Sequence, residues 1–331
     1  MKVLIVGFGS IGQRHLANLR RIDATAQVTI WHQHTDARDV RETLQEADRR
    51  VYRLEDALET RPDVALITGP ASLHVKTGLD LAAHDIGLFI EKPISNELDG
   101  VDELLELCRE RSLVLMLGYV FRFYRPLKVL RQALIEGKIG RPLILRAEVG
   151  QYLPDWRPGK DYRHCVSARQ DLGGGAVLEL SHELDYARWL LGEVKSVNAH
   201  LAKLGDLDID VEDVAEIVLQ FRNRAIGSIH LDMIQRPATR MCRIIGTEGT
   251  LTWDGSSHRV QLFSVTSNRW EDLHPANTIN PNKIYEDELR HFLDCFRGKA
   301  VPIVSGEDGK RALEIALAAK RSSHNQRVVY L

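Results

Sequence analysis

The sequence predicts an α/β protein in two parts, a doubly wound parallel sheet over residues 1–120 and an α/β domain with a large, mostly antiparallel sheet over 121–331. Three observations predict this. Up to about residue 120, short unbroken apolar runs alternate with helical patterns, as strands covered on both faces by crossover helices do. Beyond residue 140 the runs alternate apolar and polar residues, the pattern of strands with one solvated face. A chain of 331 residues also exceeds the usual size of a single core.

The first element is Val3-Leu4-Ile5-Val6, an apolar run that leads into Gly7, Gly9 and Gly12 and then a helical pattern from Gln13 to Arg21. The glycines have the G-x-G-x-x-G spacing in the strand–loop–helix context that a dinucleotide requires. Gly7 allows the tight turn, Gly9 lets backbone approach a pyrophosphate, and Gly12 lets helix and strand pack closely. Ser10 and Ile11 complete the loop at the helix N-terminus, where free N–H groups attract an anion.

Gln27 to Trp31 is the second strand. A carboxylate at its end would favour NAD by binding the ribose hydroxyls, but His32, Gln33 and His34 stand there instead. NAD and NADP both remain open, with His32, Thr35 or Arg38 near a 2′-phosphate. The alternative is that 32–38 is only a polar loop. Leu54 to Thr60 is a short helix, and Asp63 to Thr68 a buried strand that ends in the turn Gly69-Pro70-Ala71-Ser72-Leu73-His74. A helix over Val75 to Ala83 precedes the strand Leu88 to Ile90, which runs into Glu91-Lys92-Pro93. Lys92 thus lies at the carboxyl end of a strand, the edge where open α/β sheets bind ligands, and can exchange a proton with a substrate hydroxyl. Pro93 offers a cis bond, although trans is the commoner form.

A helix over Asn96 to Arg111 and a strand over Leu113 to Tyr119 complete the first part. Tyr119 and Arg122 follow in an aromatic and basic segment that either lines a cleft or fills a core. Lys128 to Gly137 is helical and Leu143 to Gln151 a strand. The loop Tyr152 to Arg163 then holds two prolines, three aromatics and two arginines, a composition that suits a substrate cover. Arg157, Arg163 and Arg122 are candidates to grip a carboxylate or phosphate, and Trp156 and Tyr162 to stack on a sugar or base. The alternative is packing against another subunit.

Gly173-Gly174-Gly175 opens a single helix from Ala176 to Leu191 that Gly192 stops. Glu179, His182 and Tyr186 fall at i, i+3 and i+7 on one face, which suits a carboxylate that orients an imidazole. Asp185 is read as structural. Six alternating runs between Val194 and Val265 form the antiparallel meander, and helices over Tyr285 to Phe296 and Ser305 to Ser322 close the chain. Asn282 and His291 are candidate cleft residues, with surface placement as the alternative.

Composition narrows the partners. With 44 basic and 46 acidic residues, the formal net charge of -2 gives no footing for nucleic acid or a membrane surface. Small molecules and further copies of the chain remain. Cys108, Cys165, Cys242 and Cys295 form no C-x-x-C pair, so they read as reduced thiols without zinc or redox function. The N-terminal apolar run is too short for a signal or a span, and a cytoplasmic protein is expected.

Taken together, GFGSIGQRH, TGPASLH, EKP and GGGAVLELSHELDYARWLLG, in this order, resemble the Gfo/Idh/MocA family of nicotinamide-dependent oxidoreductases. The resemblance implies an N-terminal Rossmann domain joined to a substrate-binding and oligomerisation domain, with activity on sugars, cyclitols and their derivatives. It implies cofactor contacts at Gly69, Pro70, His74 and Glu91, catalysis by Lys92 of EKP with His182, and a homodimer or homotetramer through the C-terminal sheet. The chain departs from the family pattern in two places. Glu179 stands three residues before His182 where an Asp commonly stands four before, and Val120 replaces a common Asn, while Arg122 is kept.

The expected reaction is hydride transfer at a hydroxyl or keto carbon of a sugar derivative, expected to be anionic: a uronate, a nucleotide sugar or a nonulosonic-acid intermediate. Lys92 itself can polarise the oxygen, so no metal is called for. The competing readings are a non-catalytic dinucleotide-binding regulator and a reductase of a non-carbohydrate.

Overall fold

The computed structural model describes residues 1–32 and 47–331. Thr35 and Arg38, offered as contacts to a 2′-phosphate, therefore lie outside the described residues. The chain divides into two compact units, 1–120 with 281–310, and 121–280 with 311–331. The sequence assigned everything after residue 120 to the second part, whereas the structure returns 281–310 to the first.

In the first unit, β1 (Lys2–Val6) leads to α1 (Ser10–Ile22), β2 (Gln27–Trp31) and a short β3 (Arg49–Val51). There follow α2 (Leu54–Leu58), β4 (Val64–Ile67), α3 (Ala71–Ala82), β5 (Gly87–Glu91), α4 (Val101–Glu110) and β6 (Leu115–Gly118). All strand pairs are parallel, in the order β3-β2-β1-β4-β5-β6. The reversal of order between β1 and β4 is the switch point at which such sheets bind ligands. Val3 to Val6, Val64 to Ile67 and Leu88 to Ile90 are essentially inaccessible, the burial on both faces that their apolar runs demand. The expected helix from Asn96 begins only at Val101, because Gly100 takes a left-handed conformation just before it.

The second unit begins with α5 (Arg125–Ile135) and β7 (Pro142–Gly150). The Tyr152–Arg163 segment carries one 3-10 turn at Leu153–Trp156 and enters another at Tyr162–His164. Next come α6 (Ala176–Glu179), α7 (His182–Leu191), β8 (Val194–Ala202), β9 (Val214–Phe221), β10 (Ile226–Asp232), β11 (Thr239–Gly246), β12 (Gly249–Asp254), β13 (Arg259–Ser264) and β14 (Arg269–His274). The chain ends with α8 (Lys283–Phe296) in the first unit, α9 (Gly306–Asn325), which contains the division at residue 310, and β15 (Val329–Tyr330). The sheet has nine strands in the order β14-β13-β12-β11-β7-β10-β9-β8-β15. It is antiparallel except where β10 pairs with β7. β14 and β15 are edge strands of mostly exposed residues, so the alternation that signals a strand is missing from them.

The single helix expected over 176–191 is two. Gly175 at φ 103° starts α6, whose first turn is pinned by Ala176 N–H to Glu212 O at 3.0 Å and Val177 N–H to Glu212 Oε1 at 3.2 Å. Leu180 then leaves helical geometry, and α7 restarts with short-range bonds from Glu183 to Leu180 O and from Leu184 to Ser181 O. The i, i+3, i+7 face predicted for Glu179, His182 and Tyr186 therefore does not run along one helix.

Candidate functional site

The glycine loop follows β1 as its spacing requires. Gly7 turns at φ 82°, and a Cβ there would lie 2.9 Å from the Gly69 backbone, so the two loops meet closely enough to exclude any side chain. At Gly12 a Cβ would lie 2.6 Å from Gly7 O and 2.8 Å from Thr68 Oγ1. Gly9, the residue before α1, has nothing within 4 Å of its Cβ position, which leaves its backbone open. Thr68 Oγ1 lies 2.7 Å from Gly7 O and 3.0 Å from Val6 O, tying the β4 turn to the loop. The first turn of α1, where Ser10 and Ile11 stand, contains no acid, so its positive end is not neutralised from within. A cradle closed to Cβ atoms at Gly7 and Gly12 and open at Gly9 fits a pyrophosphate.

Lys92 sits half-buried just past β5, at the edge where β1 and β4 also end, since Val6 pairs with Ile67 and Ile67 with Ile90. The Lys92–Pro93 bond is cis. Two buried side chains hold this segment. Glu91 Oε2 accepts the Lys92 N–H at 3.3 Å, and His74 places Nδ1 2.9 Å from Pro93 O and Nε2 2.9 Å from Gly69 O. Burial pushes the His74 imidazole below the usual histidine range, outweighing the two carbonyls that favour its protonation. A neutral ring donates to one carbonyl and bridges the Pro70 turn to the lysine segment. His74 and Glu91 thus act on neighbouring protein atoms. Tyr119 is fully buried and presents no surface to a ligand.

In the second unit, Glu179 accepts the Ser167 hydroxyl at 2.9 Å. His182 packs on Phe121 with ring centroids 4.8 Å apart, and the Arg240 guanidinium covers the same Phe121 ring at 4.6 Å. Tyr186 is fully buried against Trp253, its hydroxyl without a hydrogen-bond partner among the described residues. Burial drives that hydroxyl well above the usual tyrosine range. Sequence reasoning missed Phe121 and Arg240 beside His182. Arg240 lies in a sheet strand 58 positions along the chain, and only strand pairing returns it.

The arginines expected to grip an anion are mostly engaged. Arg122 is buried and bidentate to Asp185 at 3.0 and 2.6 Å, with its guanidinium 5.6 Å from the Trp189 ring. That pairing corrects its assignment as a free anion receptor, because the charge is already balanced in a low-dielectric setting. Arg163 is similarly bidentate to Asp161, which lowers the Asp161 carboxyl to about 2. Arg157 has no carboxylate partner among the described residues and remains half-buried. Trp156 donates to Gln151 O at 3.0 Å, and the Tyr162 hydroxyl accepts from Asp208 N–H at 3.1 Å; both rings are half-buried. Asn282 pairs with Asn18 and joins α8 to α1, while His291 takes the Ile303 N–H.

A family model described as an oxidoreductase family with an NAD-binding Rossmann fold matches residues 1–119, and its C-terminal alpha/beta domain model matches 131–331. The chain is 30% identical over 344 residues to a myo-inositol 2-dehydrogenase of Thermotoga maritima, across 100% of this chain and 98% of that protein. Among solved structures, a probable dehydrogenase from Thermotoga maritima shares 28% identity with TM-score 0.80, covering 100% and 98% of the two chains. The WlbA dehydrogenase of Bordetella pertussis, solved with NADH and UDP-GlcNAcA, shares the fold at TM-score 0.84 and 24% identity with the same coverage. With the glycine cradle at the switch point and both models spanning nearly the whole length, this chain belongs to the Gfo/Idh/MocA family of oxidoreductases and carries its NAD-binding Rossmann domain.

Proposed function

We propose that the protein is a dehydrogenase that moves a hydride between nicotinamide and a secondary carbinol carbon of a sugar or cyclitol derivative, with an anionic derivative as its natural substrate. The observation that carries this reading is Lys92. It stands at the carboxyl edge of β5 beside the ends of β1 and β4, on a segment held by His74 and Glu91. A lysine at that edge suits proton exchange with a hydroxyl, and the 30% identical relative is named for a cyclitol oxidation.

The cradle at Gly7, Gly9 and Gly12 would hold NAD, whose nicotinamide would supply the hydride-accepting chemistry. Lys92 takes the hydroxyl proton as the carbonyl forms and returns it in reduction. His182 holds the hydroxyl or relays its proton, with Glu179 in support. Arg157 takes the substrate's negative charge, and Trp156 and Tyr162 offer ring faces to the sugar. The four free cysteines suit a reducing cytoplasm.

The test is a panel of myo-inositol, glucuronate and a uridine diphosphate sugar acid, each with NAD and NADP. Lys92→Ala should lower kcat about 10²- to 10⁴-fold while NAD binding persists. Unchanged turnover of every accepted compound would defeat the mechanism. Arg157→Ala should raise KM about tenfold for anionic substrates alone, as expected for loss of one charge-assisted bond. Equal loss on neutral substrates would remove the anionic assignment.

A further inference from the structure

Beneath the lysine segment lies a group of titratable side chains that the reaction above does not use. His15 on α1 is fully buried, with Nε2 2.8 Å from Glu91 Oε1 and Nδ1 without a hydrogen-bond partner among the described residues. The other oxygen of Glu91 receives the Lys92 N–H. Gly118 makes room for it, since a Cβ there would come within 3.0 Å of Glu91 Oε2. Glu288 on α8 is also fully buried, and neither of its carboxyl oxygens has a hydrogen-bond partner among the described residues. The surroundings are apolar: His15 meets Phe89 edge-on at 5.2 Å, and Phe89 meets Phe292 at 5.5 Å.

An ionised carboxylate with no partner in such a place is far costlier than a neutral acid. Glu91 is bonded to His15 through Oε1 and to the Lys92 N–H through Oε2, and no hydrogen bond reaches the Glu288 carboxyl among the described residues. We propose that Glu288 is a protonated acid buried beside the bonded His15–Glu91 pair, and that this pair positions Lys92 through its backbone N–H. Burial, and after it the charge of Glu91, raises the Glu288 carboxyl well above the ordinary carboxylate range, in the same direction. His15 and Glu91 are positioning residues. Their service to chemistry rests on the reading of Lys92 as the proton-transferring group.

Difference infrared spectroscopy of the full-length protein at neutral pH tests the charge assignment. The carbonyl stretch of a protonated carboxyl should be present in the wild type and lost in Glu288→Gln, a near-isosteric neutral change that keeps the fold. Identical spectra in that region would overturn the proposal. Positioning is read separately with Glu91→Gln, which turns one of the two acceptor oxygens facing His15 and Lys92 into a donor. On whichever panel compound the wild type turns over, kcat should fall about 10- to 100-fold, the penalty of a slightly misplaced reacting group, at unchanged NAD affinity measured by fluorescence titration. An unaltered kcat would overturn the positioning role. Lys92→Ala reports on the lysine itself, so failure of the chemical reading and failure of the buried set give different results.

Discussion

Arg122 and Asp185 show how one side chain's role turns on its partner. Both were visible in the sequence, Arg122 as a retained motif residue and Asp185 as a structural acid, but their bidentate pairing across 63 positions was not. Both are almost wholly buried, so removing one leaves the other charged and desolvated. Asp185→Asn should destabilise the protein by about 3–5 kcal/mol, measured by denaturant unfolding. Arg122→Met combined with Asp185→Leu should recover most of that loss, since no unpaired charge is left. A single variant with unchanged stability would contradict the account. Lys92, by contrast, was legible as a candidate from its place at a strand end, because that placement follows from strand direction alone.

At the scale of elements, the loop from β1 to α1 makes a sharp demand on backbone. A Cβ at Gly12 collides with Gly7 O, a backbone atom that cannot move without shifting the turn. Gly12→Val should therefore weaken NAD binding at least tenfold and lower the melting temperature, as fluorescence titration and calorimetry would show. A second element-scale effect lies across β9 and β10. His230 sits between Asp232 at 2.9 Å and Glu216 at 2.6 Å, and these carboxylates, Asp232 foremost, raise it from 6.5 to about 9. The folded value lies above the unfolded one, so the contribution to stability is complete below pH 6.5 and is lost as pH rises through about 9. The ring is a third exposed, and screening limits the effect to about 1 kcal/mol or less. His230→Gln should flatten the dependence of melting temperature on pH across that window. A profile parallel to the wild type would refute the pairing.

For the whole molecule, each unit has a face to be tested by itself. In the nine-stranded sheet Val218, Ile226 and Met241 are exposed large apolar residues. The register puts Val218 opposite Ser228, two positions from Ile226 in β10, and Met241 beside Glu148 in β7. We propose this open face as the place where a second copy binds. Light scattering of the full chain should give a dimer or tetramer, and Val218→Glu with Ile226→Glu should give a monomer. A wild-type monomer would remove the proposal. For the first unit, NAD at one hundred times its dissociation constant should stabilise the protein by about 2.7 kcal/mol, visible as a higher melting temperature. NADP tested in the same way would show the cofactor preference.

By itself the sequence determined the parallel unit almost strand by strand, the glycine loop, the Lys92 position and the antiparallel meander. Each of these is written in local periodicity or in glycine spacing, which neighbours along the chain are enough to define. Only the tertiary structure decided that 281–310 belong with the first unit, that 176–191 break into two helices, and that Arg122 is bound to Asp185. It also decided that Glu288, one more acid in an amphipathic helix by sequence, is sealed in a core near Glu91. These outcomes depend on burial and on partners dozens to hundreds of residues away, and the free energy of a charge is set by what surrounds it in space rather than by what precedes it in the chain.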